Sequence, residues 1–325
     1  MSNQKEIRIG VIGNVDSGKS STIGVLANNI LDDGKGLARK GVMKHQHELD
    51  TGRTSDISHQ YIKTDSYDIN LIDLAGHKKY LKTTINGISG YLIDYALLII
   101  NANSGIQMMT KEHIALVMNL KIPIIIVYTK IDMAPKNVYL SNLRFINKFF
   151  RDKLKRRVIN TNPNYHDQND DMGNNTYDIG FVIDKFKHIE LNKNFNYIPL
   201  IPVSNVTGEG IPDLRELIFN LHVYNDYKLR YTSDCSFIID RNYKIKGVGL
   251  VVSGVLKSGI IKKNDVKFMG PIYGKYYKVT IKNIHNNFQE SVDLCNAGNS
   301  SCLHIKFVNN KIDIDRKWIK KGVYI

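Results

Sequence analysis

Cysteine is scarce in this chain. Cys235, Cys295 and Cys302 are its three thiols among 325 residues, and no Cys-x-x-Cys pair occurs. An odd number of scattered thiols argues against a disulfide framework or a structural zinc site and fits a reducing compartment. Long apolar runs are also missing. The longest, Tyr95–Ala102 and Ile122–Tyr128, fall far short of the roughly 20 residues that a membrane span requires. The opening residues Met1-Ser2-Asn3-Gln4-Lys5-Glu6 contain no apolar signal region. These absences predict a soluble, cytoplasmic protein with no membrane partner. Nothing marks a symmetric interface, so a monomer is expected. Acid is in deficit too: 31 Asp and Glu face 45 Lys and Arg, a net charge of +14. That balance points to a polyanionic partner; taken with the motifs below, RNA or the ribosome is expected. The plainer reading is that Lys accumulates beside the many Asn, Ile and Tyr residues of an AT-rich genome.

A hydrophobic fraction of 42% with 23% charged residues is ordinary for a globular chain. Its length suits two domains at roughly 100–200 residues each. Residues 7–12 are β-branched and bounded by glycine, which predicts a buried strand; the stretch from Ser20 to Leu31 carries helical apolar spacing at Ile23, Leu26, Ala27 and Ile30. Residues 32–60 are rich in Gly, Lys, His and Asp without periodicity and read as a long, mobile switch loop. Strands follow at Tyr67–Asp73, Tyr95–Ala102, Ile122–Tyr128 and Tyr197–Ser204. Helical stretches are expected around His113–Leu120, over Val138–Lys155, and over Ile211–Val223 with Pro212 at its start. Residues 158–196, densest in Asn, Asp and Gly over 160–175, read as a polar surface insertion. The alternation predicts an α/β domain over 1–227, a mostly parallel sheet with helices on both faces. After Tyr227 the texture shifts to short β-rich runs such as Gly247–Leu256 and Tyr276–Ile284. They predict an antiparallel β-barrel over 228–325.

The segment Gly13-Asn14-Val15-Asp16-Ser17-Gly18-Lys19-Ser20 stands between the first strand and the first helix. In that context its backbone N–H groups, continued by Ser21, and the helix N-terminus are suited to a β-phosphate. Lys19 would bridge β- and γ-phosphates and the Ser20 hydroxyl would ligate Mg²⁺. Asp73-Leu74-Ala75-Gly76 closes an apolar strand, so Asp73 would hold Mg²⁺ through a water and the Gly76 N–H would sense the γ-phosphate. Thr129-Lys130-Ile131-Asp132 closes another. A carboxylate there accepts two hydrogen bonds from guanine that adenine cannot offer. Polar groups left unpaired by the wrong base cost roughly 1–3 kcal/mol each. Lys130 would lie along the base, and Ser204-Asn205, with Val206 beside them, would supply a backbone N–H to guanine O6. GTP or GDP with Mg²⁺ is therefore the expected ligand set.

The ordered set Gly13–Ser20, Thr54, Asp73–His77, Thr129–Asp132 and Ser204–Asn205 resembles the translational GTPase family typified by elongation factor Tu. The likeness is closest to the branch called GTP-binding protein one and two, on His47-Glu48-Leu49-Asp50-Thr51-Gly52-Arg53-Thr54-Ser55, on Asp73–Leu81 and on Val203–Gly208. It extends into Phe237–Asp265, which looks like that family's second-domain barrel. The resemblance implies that Thr54 completes Mg²⁺ coordination when GTP is bound. It also implies that His77 orients the attacking water, giving hydrolysis to GDP and phosphate by a translation-factor-like switch.

Three departures stand out. Arg53 occupies the place of an apolar gate residue, leaving Val15 as half of such a gate. Thr129 replaces the commoner Asn and removes an amide donor to the base. The family's third domain has no counterpart in these 325 residues, whether because it is missing or because the sequence belongs to a longer chain. These departures keep an alternative in view, an RNA- or protein-binding adaptor with GTP as a structural ligand. A sulfate-activation GTPase subunit is a further rival, which fits Gly52–Ser55 less well.

Overall fold

The computed structural model describes residues 5–42, 57–65, 67–77, 79, 84–85, 88, 90–161, 177–192, 196–222, 231–309, 314 and 316–325. Its first part is built on a sheet of strands β1 (Lys5–Gly13), β2 (Ser58–Lys63), β3 (Tyr67–Asp73), β4 (Tyr95–Asn101), β5 (Ile124–Thr129), β6 (Arg157–Asn160) and β7 (Tyr197–Val203), in the order β2-β3-β1-β4-β5-β7-β6. All neighbours run parallel except β2, which is antiparallel to β3. The described helices are α1 (Lys19–Asn28), α2 (Leu37–Lys40), α3 (Met108–Asn119), α4 (Lys136–Leu154), α5 (Ile179–Asn192) and α6 (Ile211–Phe219).

Period-2 alternation of the strands explains why their sequences are continuously apolar. Tyr95, Leu97 and Ile99 of β4 join a core on one face with Ile23 of α1, Ile183 of α5 and Leu214 of α6. Ala96, Leu98 and Ile100 join the opposite core with Val117 of α3 and Tyr139, Leu143, Ile146 and Phe150 of α4. Helices therefore cover both faces, and the strand ends facing α1 and the 3₁₀ turn Ile131–Met133 carry the cleft described below.

Two parts of the sequence reading are corrected. The stretch 158–196 is not wholly a polar insertion, because it contains most of β6 and all of α5. Val182, Ile183 and Phe186 of α5 are buried, a helical spacing that the surrounding Asn and Asp masked. The stretch 32–60 contains α2 and the start of β2; residues 43–56, Thr54 included, lie outside the described residues.

The second part is antiparallel. Strands β8 (Ser236–Ile245), β9 (Gly249–Ser258), β11 (Val266–Ile272), β12 (Lys275–His285) and β15 (Ser300–Phe307) form one curled sheet in the order β11-β12-β15-β9-β8, with β13 (Ser291–Val292) on β12. Strands β10 (Ile260–Lys262) and β14 (Leu294–Asn296) pair separately. Residues 322–325 join the two edges. Tyr324 exchanges hydrogen bonds with Gly270 of β11, while Ile325 exchanges them with Phe237 of β8. Phe237, Val252, Ile281 and Leu303 fill the interior.

A buried acid stitches the two parts together. Glu6 of β1, 4% exposed, accepts from the Ser300 N–H at 2.8 Å, the Ser300 hydroxyl at 2.9 Å and Asn287 Nδ2 at 3.1 Å. It also pairs with the buried guanidinium of Arg8 at 3.3 Å. Nearby, Arg241 Nη2 donates to Ile57 O at 2.8 Å, and Lys321 reaches both Asp240 at 2.7 Å and the Tyr91 hydroxyl at 3.0 Å. Among the described residues no helix is long and apolar enough to cross a membrane.

Candidate functional site: a phosphate-loop cleft

β1 ends in a turn, residues 13–18, that feeds α1 directly. The Ser17 hydroxyl donates to Asn14 O at 2.9 Å, and Asp16 adopts φ 58°, so the loop curls back on itself. Lys19, the first residue of α1, is 7% exposed; its Nζ donates to Asn14 O at 2.7 Å and Gly13 O at 3.3 Å. Burial lowers its pKa, an effect opposed by the nearby carboxylates of Asp73 and Asp16. The ammonium is thus held at the mouth of the loop, a position suited to anion capture.

Ser20 and Asp73 meet across the sheet. The Ser20 hydroxyl donates to Asp73 Oδ2 at 2.6 Å. Beyond Asp73 the chain presses onto the loop, and only glycine permits it. A Cβ on Gly76 would lie 2.4 Å from Lys19 Nζ and 2.6 Å from Gly13 O. His77 follows on the cleft wall, its Nδ1 accepting the Lys79 N–H at 3.1 Å.

The other end of the cleft is made by two strand ends. β5 passes into Lys130, at φ 60°, and a 3₁₀ turn holding Asp132. After β7 the Ser204 hydroxyl accepts the N–H groups of Val206 at 3.2 Å and Thr207 at 3.0 Å. That turn presents Asn205 and Val206 to the cleft. Asn205 Nδ2 donates to Thr22 Oγ1 at 3.0 Å, while its buried Oδ1 finds no partner among the described residues.

Val15, Asp16, Gly18, Lys19, Ser20 and Ser21 therefore share one lining with Gly76, His77, Lys130, Asp132, Asn205 and Val206. Gly13, Asn14 and Ser17 shape the loop from behind, and Asp73 acts through Ser20. Thr129, which opens the segment expected to bind guanine, lies beneath the phosphate loop. It is fully buried, and its hydroxyl donates to Ser17 O at 2.6 Å.

Two features were missed in the sequence. His113 of α3 is fully buried, and its Nδ1 accepts the Gly13 N–H at 3.2 Å. Desolvation, with the charge of Lys19 adding to it, pushes its pKa down to about 4, so the ring is neutral and able to accept. A histidine among the buried Met109, Ile114 and Val117 of one helix face was the available signal. The second feature is the set Asp32, Gly34, Lys35, Gly36 and Arg39, unnamed within the expected switch loop, which lines the same cleft.

Fold and cleft together define a P-loop nucleotide-binding domain followed by an antiparallel β-barrel. Residues 4–223 match the elongation factor Tu GTP binding domain. The chain belongs to that family of GTP-binding domains and to its translational GTPase group. GTP-binding protein 1 of Xenopus laevis is 33% identical over 98% of this chain and 49% of that protein. GTP-binding protein 2 of Homo sapiens is 31% identical over 98% and 53% respectively. The chain thus spans about half the length of the curated relatives it matches. Among solved structures, translation elongation factor SelB from Methanococcus maripaludis, in complex with a GTP analogue, superposes with a TM-score of 0.69 at 23% identity. That superposition covers 100% of this chain and 55% of that one, a likeness of fold. Guanine-nucleotide binding follows from the family.

Proposed function

We propose that this chain binds GTP with Mg²⁺, hydrolyses it to GDP and phosphate, and acts as a translation-factor-like switch. The observation that carries the reading is the single cleft with Lys19 and the Ser20–Asp73 pair at one end and Asp132 at the other. That spacing of an anion site and a carboxylate suits a phosphorylated base whose edge donates hydrogen bonds.

Gly13–Ser21 would wrap the phosphates, with Lys19 neutralising charge. Asp132 would select guanine, with Lys130 along the base and the Ser204–Val206 turn offering an N–H to O6. The Ser20 hydroxyl against a carboxylate oxygen is a hard-oxygen donor set, which fits Mg²⁺. Ser20, Asp73 through water, and Thr54 would hold it. When bound it neutralises charge on the β- and γ-phosphates. Gly76 would sense the γ-phosphate, and His77 would orient the water that attacks it. Thr54 and Gly76 would then order or release their segments with nucleotide state. Arg241 of barrel strand β8 donates to Ile57 O at 2.8 Å, a bond that would link the switch mechanically to the barrel.

The excess of Lys and Arg supports contact with RNA or the ribosome; a cytoplasmic monomer is the setting proposed for it. Nothing favours the adaptor reading. Nucleotide specificity tests the base assignment: Asp132→Asn is expected to lose GTP affinity and gain xanthosine triphosphate. Equal binding of ATP and GTP by the unmodified chain contradicts it.

A further inference from the structure

The segment 32–39 departs from α1 and is anchored at both ends beside the cleft. At one end the Asp32 N–H donates to Asn205 O at 2.8 Å. At the other, α2 packs on α1 so closely that a Cβ on Gly24 would lie 2.0 Å from Ala38 O. Between these points the loop is self-braced. Asp33 Oδ1 accepts the N–H groups of Lys35 at 2.8 Å and Leu37 at 3.0 Å, and Asp32 Oδ1 accepts that of Ala38 at 2.9 Å. Both loop acids are therefore engaged with backbone. Lys35 and Arg39 line the nucleotide cleft with Lys19, and among the described residues no acidic side chain pairs with either. Two unneutralised cations on a braced loop beside a buried ammonium form a field that only an anion satisfies.

We propose that Lys35 and Arg39 make a second cationic contact to the phosphate chain of the bound nucleotide, supplied by the loop 32–39 from a wall that the Gly13–Ser20 loop does not reach. This rests on the cleft being the nucleotide site. Arg39, with a planar guanidinium, makes the stronger contact, and Lys35 adds charge. The loop discriminates by phosphate content and leaves the choice of base to Asp132.

The test is displacement of a fluorescent GDP from the full chain by guanosine, GDP, a non-hydrolysable GTP analogue and ADP, over a range of salt. Arg39→Gln, Lys35→Gln and their combination are compared with Arg39→Lys. The double variant is expected to bind GDP and the GTP analogue about 10- to 100-fold more weakly. Guanosine affinity should stay within about twofold, the salt dependence should flatten, and Arg39→Lys should recover part of the loss. Unchanged GDP affinity overturns the proposal. Equal losses for guanosine and GDP also overturn it, because the loop then only braces the fold. Failure of the guanine assignment looks different: the unmodified chain would bind ADP as tightly as GDP, and the charge contact would still be read from the ADP series.

Discussion

His113 Nδ1 accepts the N–H of Gly13 at 3.2 Å, although the two residues are separated by 100 positions. The bond ties α3 to the first residue of the phosphate loop and gives its buried backbone amide a side-chain acceptor. His113→Phe fills the space without an acceptor. It is expected to weaken GDP and GTP binding together by about 10-fold, in line with roughly 1–3 kcal/mol for an orphaned buried donor. Equilibrium nucleotide titration checks this.

The same histidine gives a pH dependence with a defined sign. Its folded pKa is about 4, against an ordinary 6.5. The unfolded chain therefore takes up a proton as pH falls through about 6.5, while the folded chain resists until about 4. Stability from His113 is present above about pH 6.5 and is lost as pH falls toward 4, by up to about 3 kcal/mol. Urea unfolding across that range should show a steeper acid loss in the unmodified chain than in His113→Phe. Parallel curves contradict the assignment.

Thr129 supports the phosphate loop from below through Ser17 O. Thr129→Val, equal in shape, is expected to weaken GDP and GTP binding by about 5- to 10-fold, the cost of leaving that carbonyl unsatisfied. The preference for guanine over adenine should not move, because Asp132 stands apart from this contact. A changed GTP-to-ATP ratio in the variant contradicts it.

Glu6 holds the barrel to the sheet while balancing Arg8. Glu6→Gln leaves the fully buried guanidinium without that carboxylate and is expected to lower stability by about 3–5 kcal/mol, as broken buried pairs do. Glu290→Gln is the control. Its partner Lys63 is 3.6 Å away and both side chains are more than half exposed, so the unfolding midpoint should stay in place.

Much of this was legible beforehand, for local reasons. The Gly13–Ser20 loop and its single Lys are contiguous, so the phosphate chemistry proposed for them is written in one short segment. Asp73 and Asp132 were legible because each closes an apolar strand. What stayed hidden depends on distance. His113 becomes a loop support only when α3 docks against β1, and Thr129 shows its partner only once β5 lies under the loop. Lys35 and Arg39 were lost in a segment judged by its Gly, Lys and His content, whose order comes from Asp32 and Asp33 bonding the backbone. The helix α5 was hidden by the polar residues around it, while its buried Val182, Ile183 and Phe186 carried the period.

The central claim is that the cleft is a hydrolytic switch as well as a binding site. Phosphate release from GTP over many turnovers, with and without ribosomes, tests it most directly, on the unmodified chain and on His77→Ala. A slow basal rate that ribosomes raise is expected, together with loss of that stimulation and unchanged GTP affinity in His77→Ala. Tight GTP binding with no turnover under either condition, or full activity in His77→Ala, contradicts it.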